Sequence, residues 1–171
     1  PEERRLVDAL AALYEATGAR RELAGIWLEL AEGTEGEERI EVLRRVAGVY
    51  LEASDPAAAM PILDELLRLA PDDAHTRMLL VDAYIASDKL DEANGLLDAA
   101  IAEHRGRRSP ELAALQHRKA RVAQANGDRA GQLEWLGQAH TSDKNNAWVT
   151  VELADLAEQM EEWDIALKVL R

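Results

Sequence analysis

The feature that most constrains this chain is a recurrence. Its three tyrosines, Tyr14, Tyr50 and Tyr84, stand in one local setting. Each follows Ala11, Ala47 or Val81 by three residues, and each precedes a turn signal. Tyr50 and Tyr84 lie 34 residues apart (84 − 50), and Tyr14 precedes Tyr50 by 36 (50 − 14), with two extra residues in the connection "EGTEGEE". A fixed period of this length makes an array of small units the first architecture to test. Counting in that frame, units start at Arg4, Ile40, Ala74, Ala113 and Ala147. The Ala74 and Ala113 units are separated by 39 residues (113 − 74), and the last step returns to 34 (147 − 113).

Within each unit the chain reads helix, turn, helix. The stretch from Ala74 to Ala86 has apolar residues at helical spacing, Ser87 and Asp88 break it, and a partner helix starts near Leu90. The turns "ATGARREL", "ASDPAAAM", "ASDKLDEA" and "ANGDRAGQ" occupy equivalent places. Gly18 and Gly127 are expected to supply a left-handed helix stop, and Asp55, Asp88 and Asp128 to cap the following helix. Pro56 and Pro110 suit a first helical turn, where the missing amide hydrogen costs least. Pro71 ends one helix, and Asp72 or Asp73 caps the next; Ser109 is read as a cap before Pro110.

Composition agrees with helix packing and excludes several functions. Hydrophobic residues make up 47% of the chain and charged ones 31%, so a core can form, and the near absence of aromatics leaves alanine and leucine to build it. A formal net charge of −13 argues against nucleic acid and against anionic membrane surfaces. The lack of cysteine removes disulfides, thiolate metal sites and cysteine nucleophiles together. No stretch approaches the ~18 apolar residues of a membrane span. The chain is therefore expected to be soluble, with the cytoplasm favoured and the compartment left open. Its alanine- and arginine-rich usage points to a high-GC bacterial source.

This joint phase resembles the tetratricopeptide repeat (TPR) family, whose unit is a pair of antiparallel helices. The pattern of that family has Leu at position 7, a small residue at 8, Tyr at 11, Gly at 15, Ala at 20 and Pro at 32. Ala47, Tyr50, Ala59 and Leu63 match it in the second unit, as do Tyr84, Ala93 and Leu97 in the third. Ala154, Ala166 and Leu170 match it in the last, where Trp163 adds an aromatic seal. The fourth unit departs, with Lys119 at position 7, Ala123 at 11 and Gln132 at 20. Either packing is looser there, or Lys119 sends its long stem outward, or the helix phase is shifted in this unit. The resemblance implies an all-α right-handed superhelical solenoid of about ten helices, in units 4–39, 40–73, 74–112, 113–146 and a truncated 147–171. Residues 1–171 would form one array, taken from a longer chain because the sequence opens without methionine and stops inside a hairpin.

No enzyme signature is found. His75, His104, His117 and His140 fit no metal spacing, and "GDRAG" lacks the lysine and preceding strand of a phosphate loop. Acid pairs such as Asp91–Glu92 and Glu161–Glu162 belong to helix starts, where they favour the positive dipole end. No cofactor and no metal is expected. The most basic local run, residues 104–110, reads as an exposed linker.

The resemblance further implies that the first helices line a concave groove that binds a partner peptide. Unit positions 2, 5, 9 and 12, with 6 and 13 nearby, then assign Arg44, Arg45, His75, Met78, Asp82 and Ile85 to the groove from the second and third units. His117, Arg118, Arg121 and Gln124 come from the fourth, and Trp148, Val151 and Asp155 from the fifth. Arginines flanking an apolar strip suit a segment with acidic and apolar side chains. The carboxylate clamp of co-chaperone repeats is not supplied, since Gly48, Leu79 and Ala114 stand where it needs polar or basic residues. The expected role is a non-catalytic protein–protein interaction scaffold. The alternatives are a regulatory or positioning arm of a larger enzyme or assembly machine, or a self-association module that stacks through exposed ends such as Trp163 and Val169.

Overall fold

The computed structural model describes residues 2–104 and 106–170, with side chains from residue 5 onward. Arg105 of the basic run and the final Arg171 lie outside the described residues. The described chain is all-α: ten helices and no strand among those residues. It divides into two compact units, Pro1–Ser87 and Asp88–Arg171.

The first unit holds α1 (Glu2–Thr17), α2 (Arg20–Glu32), α3 (Gly36–Glu52), α4 (Pro56–Leu69) and α5 (Ala74–Ala86), each packed on its neighbour in sequence. Its core is apolar. Leu43 and Val46 of α3, Leu63 and Leu66 of α4, and Leu80 and Val81 of α5 are buried, with Trp27 of α2 beside them. Each buried leucine contributes about 1.5–3 kcal/mol through apolar area removed from water. Ala47 at position 8 and Ala59 at position 20 are fully covered, so helix backbones approach where these side chains are small. Tyr14, Tyr50 and Tyr84 are half-buried, and the Tyr84 hydroxyl donates to the Asp64 carboxylate at 3.3 Å.

The second unit holds α6 (Leu90–Glu103), α7 (Pro110–Ala125), α8 (Arg129–Ser142), α9 (Ala147–Gln159) and α10 (Trp163–Val169), again packed in sequence order. Leu97, Leu136 and Leu153 are fully buried, and the polar Gln116, Lys119 and Gln132 are buried as well, each 7% exposed. Lys119 does not point outward. Its Nζ donates to Asn94 Oδ1 at 2.9 Å, reaches Asp98 Oδ1 at 2.5 Å and stands 5.5 Å from the centre of the Trp135 ring. A buried ammonium is tolerable only with such partners, and α6 supplies two of them. Gln116 is satisfied in the same way: Ser142 Oγ donates to it at 2.7 Å, and its own amide donates to Gln138 at 3.5 Å.

The turns inside the hairpins share one backbone device. Position 15 takes a left-handed conformation every time, as Gly18 (φ 71°), Ser54 (φ 55°), Asp88 (φ 58°), Gly127 (φ 73°) and Glu161 (φ 61°). The amide of position 16 then donates to the carbonyl of position 11, as Ala19 to Tyr14 (3.0 Å), Asp55 to Tyr50 (2.9 Å), Asp128 to Ala123 (2.9 Å) and Glu162 to Ala157 (2.8 Å). This closes the helix end by satisfying a carbonyl left free there. Asp55 and Asp128 cap α4 and α8 through the amides of Ala58 and Gly131. Asp88 does not cap α6. It sits one position earlier than its counterparts and is itself the left-handed residue, so Lys89 takes the cap position and makes no side-chain cap bond. Asp73, Ser109 and Asn146 cap α5, α7 and α9.

Candidate functional site

The residues assigned to a groove are described within each unit. In the first, Arg44 projects from α3 and is held by two carboxylates, Glu41 at 2.7 Å on its own helix and Asp73 at 3.0 Å at the cap of α5. Hydrogen bonding to Asp73, and then to Glu41, raises the guanidinium pKa further. Burial alone would push the Asp73 carboxyl up. Hydrogen bonds from the Thr76 amide and hydroxyl and from Arg44 outweigh it and hold Asp73 below the ordinary aspartate range. Arg45 stands over the Trp27 ring, 5.0 Å from its centre. His75 is exposed, while Met78, Asp82 and Ile85 are half-buried along α5. A shallow hollow of 390 Å³ between the ends of α3 and α5 takes in Asp82 together with Leu51, Leu79 and Ala83.

In the second unit the first helices of two repeats, α7 and α9, are bridged by a side-chain pair. His117 Nε2 lies 2.7 Å from Glu152 Oε2 and ties the two helices. Arg118 donates to the Ala114 carbonyl at 3.3 Å, and Arg121 is half-buried on the same helix. Gln124 lines a cleft of 420 Å³ with Arg129, Gln132, Glu152, Asp155 and Gln159. This lining mixes amides, carboxylates and one guanidinium, so it offers donors and acceptors side by side. Trp148, 75% exposed, lies at i, i+4, i+7 and i+11 spacing with Glu152, Asp155 and Gln159, which places all four on one face of α9. Val151 is exposed on the adjoining face and borders a separate hollow with α10.

Of the residues read from the sequence, the structure brings Gln124 and Asp155 to one cleft and joins His117 to it through Glu152. Glu152, Gln159, Arg129 and Gln132 were not among those residues. Glu152 and Gln159 stand at positions 6 and 13, which the repeat frame puts near the groove, and they line the cleft with Gln124 and Asp155. Among the described residues no group of three or more His, Asp or Glu side chains could hold a metal ion, and no helix is long and apolar enough to cross a membrane.

Fold and exposed first-helix faces together define an α-solenoid of helix pairs, a class that generally serves as a protein-interaction scaffold and is typically non-catalytic. The family model of the tetratricopeptide repeat matches residues 50–119. Among solved structures, MamA from Desulfovibrio magneticus RS-1 superposes with a TM-score of 0.69 at 14% identity, over 99% of this chain and 92% of that one. The TPR-like repeats of a Podosopora anserina kinesin light chain superpose with a TM-score of 0.67 at 22% identity, over 99% and 92% of the two chains. A curated relative, cellulose synthase operon protein C of Xanthomonas axonopodis pv. citri, is 27% identical over 160 residues. That match covers 85% of this chain but 10% of the relative, so the chain spans about a tenth of its length.

Proposed function

We propose that the chain is a non-catalytic scaffold that holds a segment of a protein partner against the first helices of its repeats, with α7 and α9 as the principal contact. The supporting observation is the 420 Å³ cleft formed by the end of α7, the start of α8 and α9, lined by donors and acceptors and continued along α9 by the exposed Trp148. Amides such as Gln124 and Gln159 suit the main-chain groups of an extended segment, and an exposed indole offers a large, rigid apolar contact. The arginines of the first unit are less suited to an acidic run than the sequence suggests, because Arg44 is already held by Glu41 and Asp73. A segment rich in polar and apolar side chains fits the cleft better.

The test is a pull-down from the source cell with Gln124→Ala, Gln159→Ala and Trp148→Ala combined. All three side chains are exposed, so the fold survives their removal. The partners captured by the parent chain are expected to be lost. Retention of every partner would overturn the assignment.

The curated relative favours a second reading, the positioning arm of a larger assembly. Its name attaches it to a cellulose synthase operon, and a chain spanning a tenth of such a protein would serve there to place other components. Co-purification of synthase subunits with the chain would favour this reading over a free-standing scaffold.

A further inference from the structure

Three departures from the repeat pattern meet at one place in the second unit. The step from the third repeat to the fourth is five residues too long, and the basic run 104–110 lies in that longer connection. Lys144 stands at position 32, where the second repeat has Pro71. Gly137 stands at position 25, where the preceding repeats have Leu28, Asp64 and Asp98. The structure brings Arg108 of the basic run, Gly137 and Lys144 to one hollow of 460 Å³, and α10 adds Lys168.

The hollow is basic in an acidic chain. The sequence has 33 acids against 20 Lys and Arg, yet among the described residues the lining holds three of those cations, with His140, and no carboxylate. Arg108, Lys144 and Lys168 are exposed, and none is paired with a carboxylate among the described residues. Helix dipoles account for His140 and Lys168, which sit in the last turns of α8 and α10. They do not account for Arg108 and Lys144, which lie in loops. The floor is apolar. Leu153 is buried there, and the half-buried Ile165 and Val169 pack on the α8–α9 cluster. Val169, expected as an exposed end, is thus turned inward, on the opposite side of α10 from Trp163, Leu167 and Leu170. A Cβ at Gly137 would have no neighbour within 4 Å, so this glycine eases no close contact and simply leaves the hollow open. A second hollow of 390 Å³ shares Arg108, Gly137 and Thr141 and runs on past Gln138 and Ser142 to Glu134. The surface is therefore elongated.

We propose that this hollow, built largely by the second helices α8 and α10, docks a protein segment whose acidic side chains surround one apolar residue. The acids meet Arg108, Lys144 and Lys168, and the apolar side chain enters between Leu153, Ile165 and Val169. Exposed cations hold a single small anion weakly, because water and salt screen each pair, whereas a segment engages all three at once. The site shares no lining residue with the α7–α9 cleft, so either can fail while the other stands.

The test is fluorescence anisotropy of a labelled peptide, one leucine set among glutamates, titrated with the full chain at physiological ionic strength. The parent chain is expected to bind it, and the same peptide with glutamine for glutamate should not bind. Lys144→Glu with Lys168→Glu, both at exposed sites, should weaken binding by about tenfold or more. Arg5→Glu with Arg68→Glu makes the same change of net charge at exposed sites of the first unit and should leave binding unchanged. Gly137→Leu should weaken it with no change of charge, by filling the hollow. An acidic peptide that does not bind, or that binds the Lys144→Glu, Lys168→Glu variant equally well, would overturn the proposal. Loss of the peptide on combining Gln124→Ala, Gln159→Ala and Trp148→Ala would overturn it too, by moving the contact to the α7–α9 cleft. Displacement by an equal concentration of inorganic phosphate would replace the docked segment with a small-anion site.

Discussion

The two units answer one packing requirement with different chemistry. At position 7 the first unit buries Val46 and Leu80, and the second buries Lys119 and Leu153. Val46 is fully buried, whereas Lys119 is met by Asn94, Asp98 and the Trp135 ring. The polar set continues through Gln116, Ser142 and Gln138. The lesson is that the repeat frame specifies burial at a position and leaves the residue type open, provided the adjacent helix supplies partners. A buried polar network adds specificity to how α6, α7 and α8 meet and contributes less net stability than an apolar core.

The largest expected effect comes from carrying the lysine across. Val46→Lys places an ammonium at a fully buried position that holds an apolar side chain and should cost about 3–5 kcal/mol, read as the loss of amide protection in α3. Lys119→Met in the second unit should leave the melting temperature unchanged or raised, because Asp98 is 65% exposed and returns to water. A marked fall with Lys119→Met would show that the ion pair itself holds the second unit together.

Next come the close helix approaches. Ala59→Leu in the first unit and Ala93→Leu in the second should each cost ~1–3 kcal/mol by overpacking, since both positions are fully buried. Thermal melts unaffected by both substitutions would break the register. A cost in one unit alone would sharpen the contrast between them.

A smaller difference separates the caps. Asp73 caps α5 in the first unit, and Asn146 caps α9 in the second. Asp73 is held below the ordinary aspartate value, so its stabilisation is complete above the unfolded value of about 3.9 and is lost as pH falls through the lower folded one. Amide exchange in α5 should therefore accelerate in acid by the equivalent of about 1 kcal/mol, while the cap of α9 does not titrate. Asp73→Asn should remove that acid dependence.

The smallest effects lie at the turns. Ser54→Gly in the first unit and Glu161→Gly in the second relieve left-handed backbone at non-glycine residues and should stabilise by about 0.5–1 kcal/mol each, measured by denaturant titration. Gly18→Ala and Gly127→Ala should do the reverse.

Much of the fold was legible because a repeat reports its own phase. Tyr14, Tyr50 and Tyr84 share one position, and that position fixes where each hairpin turns. Gly18 and Gly127 announced their left-handed turns, but Ser54, Asp88 and Glu161 adopt the same conformation without a glycine to mark it. Asp88 misled for a simple reason: its turn reads like the one at Asp55, yet it falls one position earlier in the unit. The candidate cleft was less legible. Gln124 and Asp155 follow from unit positions, with Glu152 and Gln159 at the positions nearby, but Arg129 and Gln132 join them from α8, a second helix that no groove position marks.

The sequence by itself determined the helix-pair period, the turn places and the small positions at which helices meet, because these depend on spacing along one chain. Only the tertiary structure decided that Lys119 lies inside and that Arg44 is held by Asp73. Each of those outcomes depends on which side chain a neighbouring helix brings within a few ångströms. Distance between elements is not written in the spacing of any one of them.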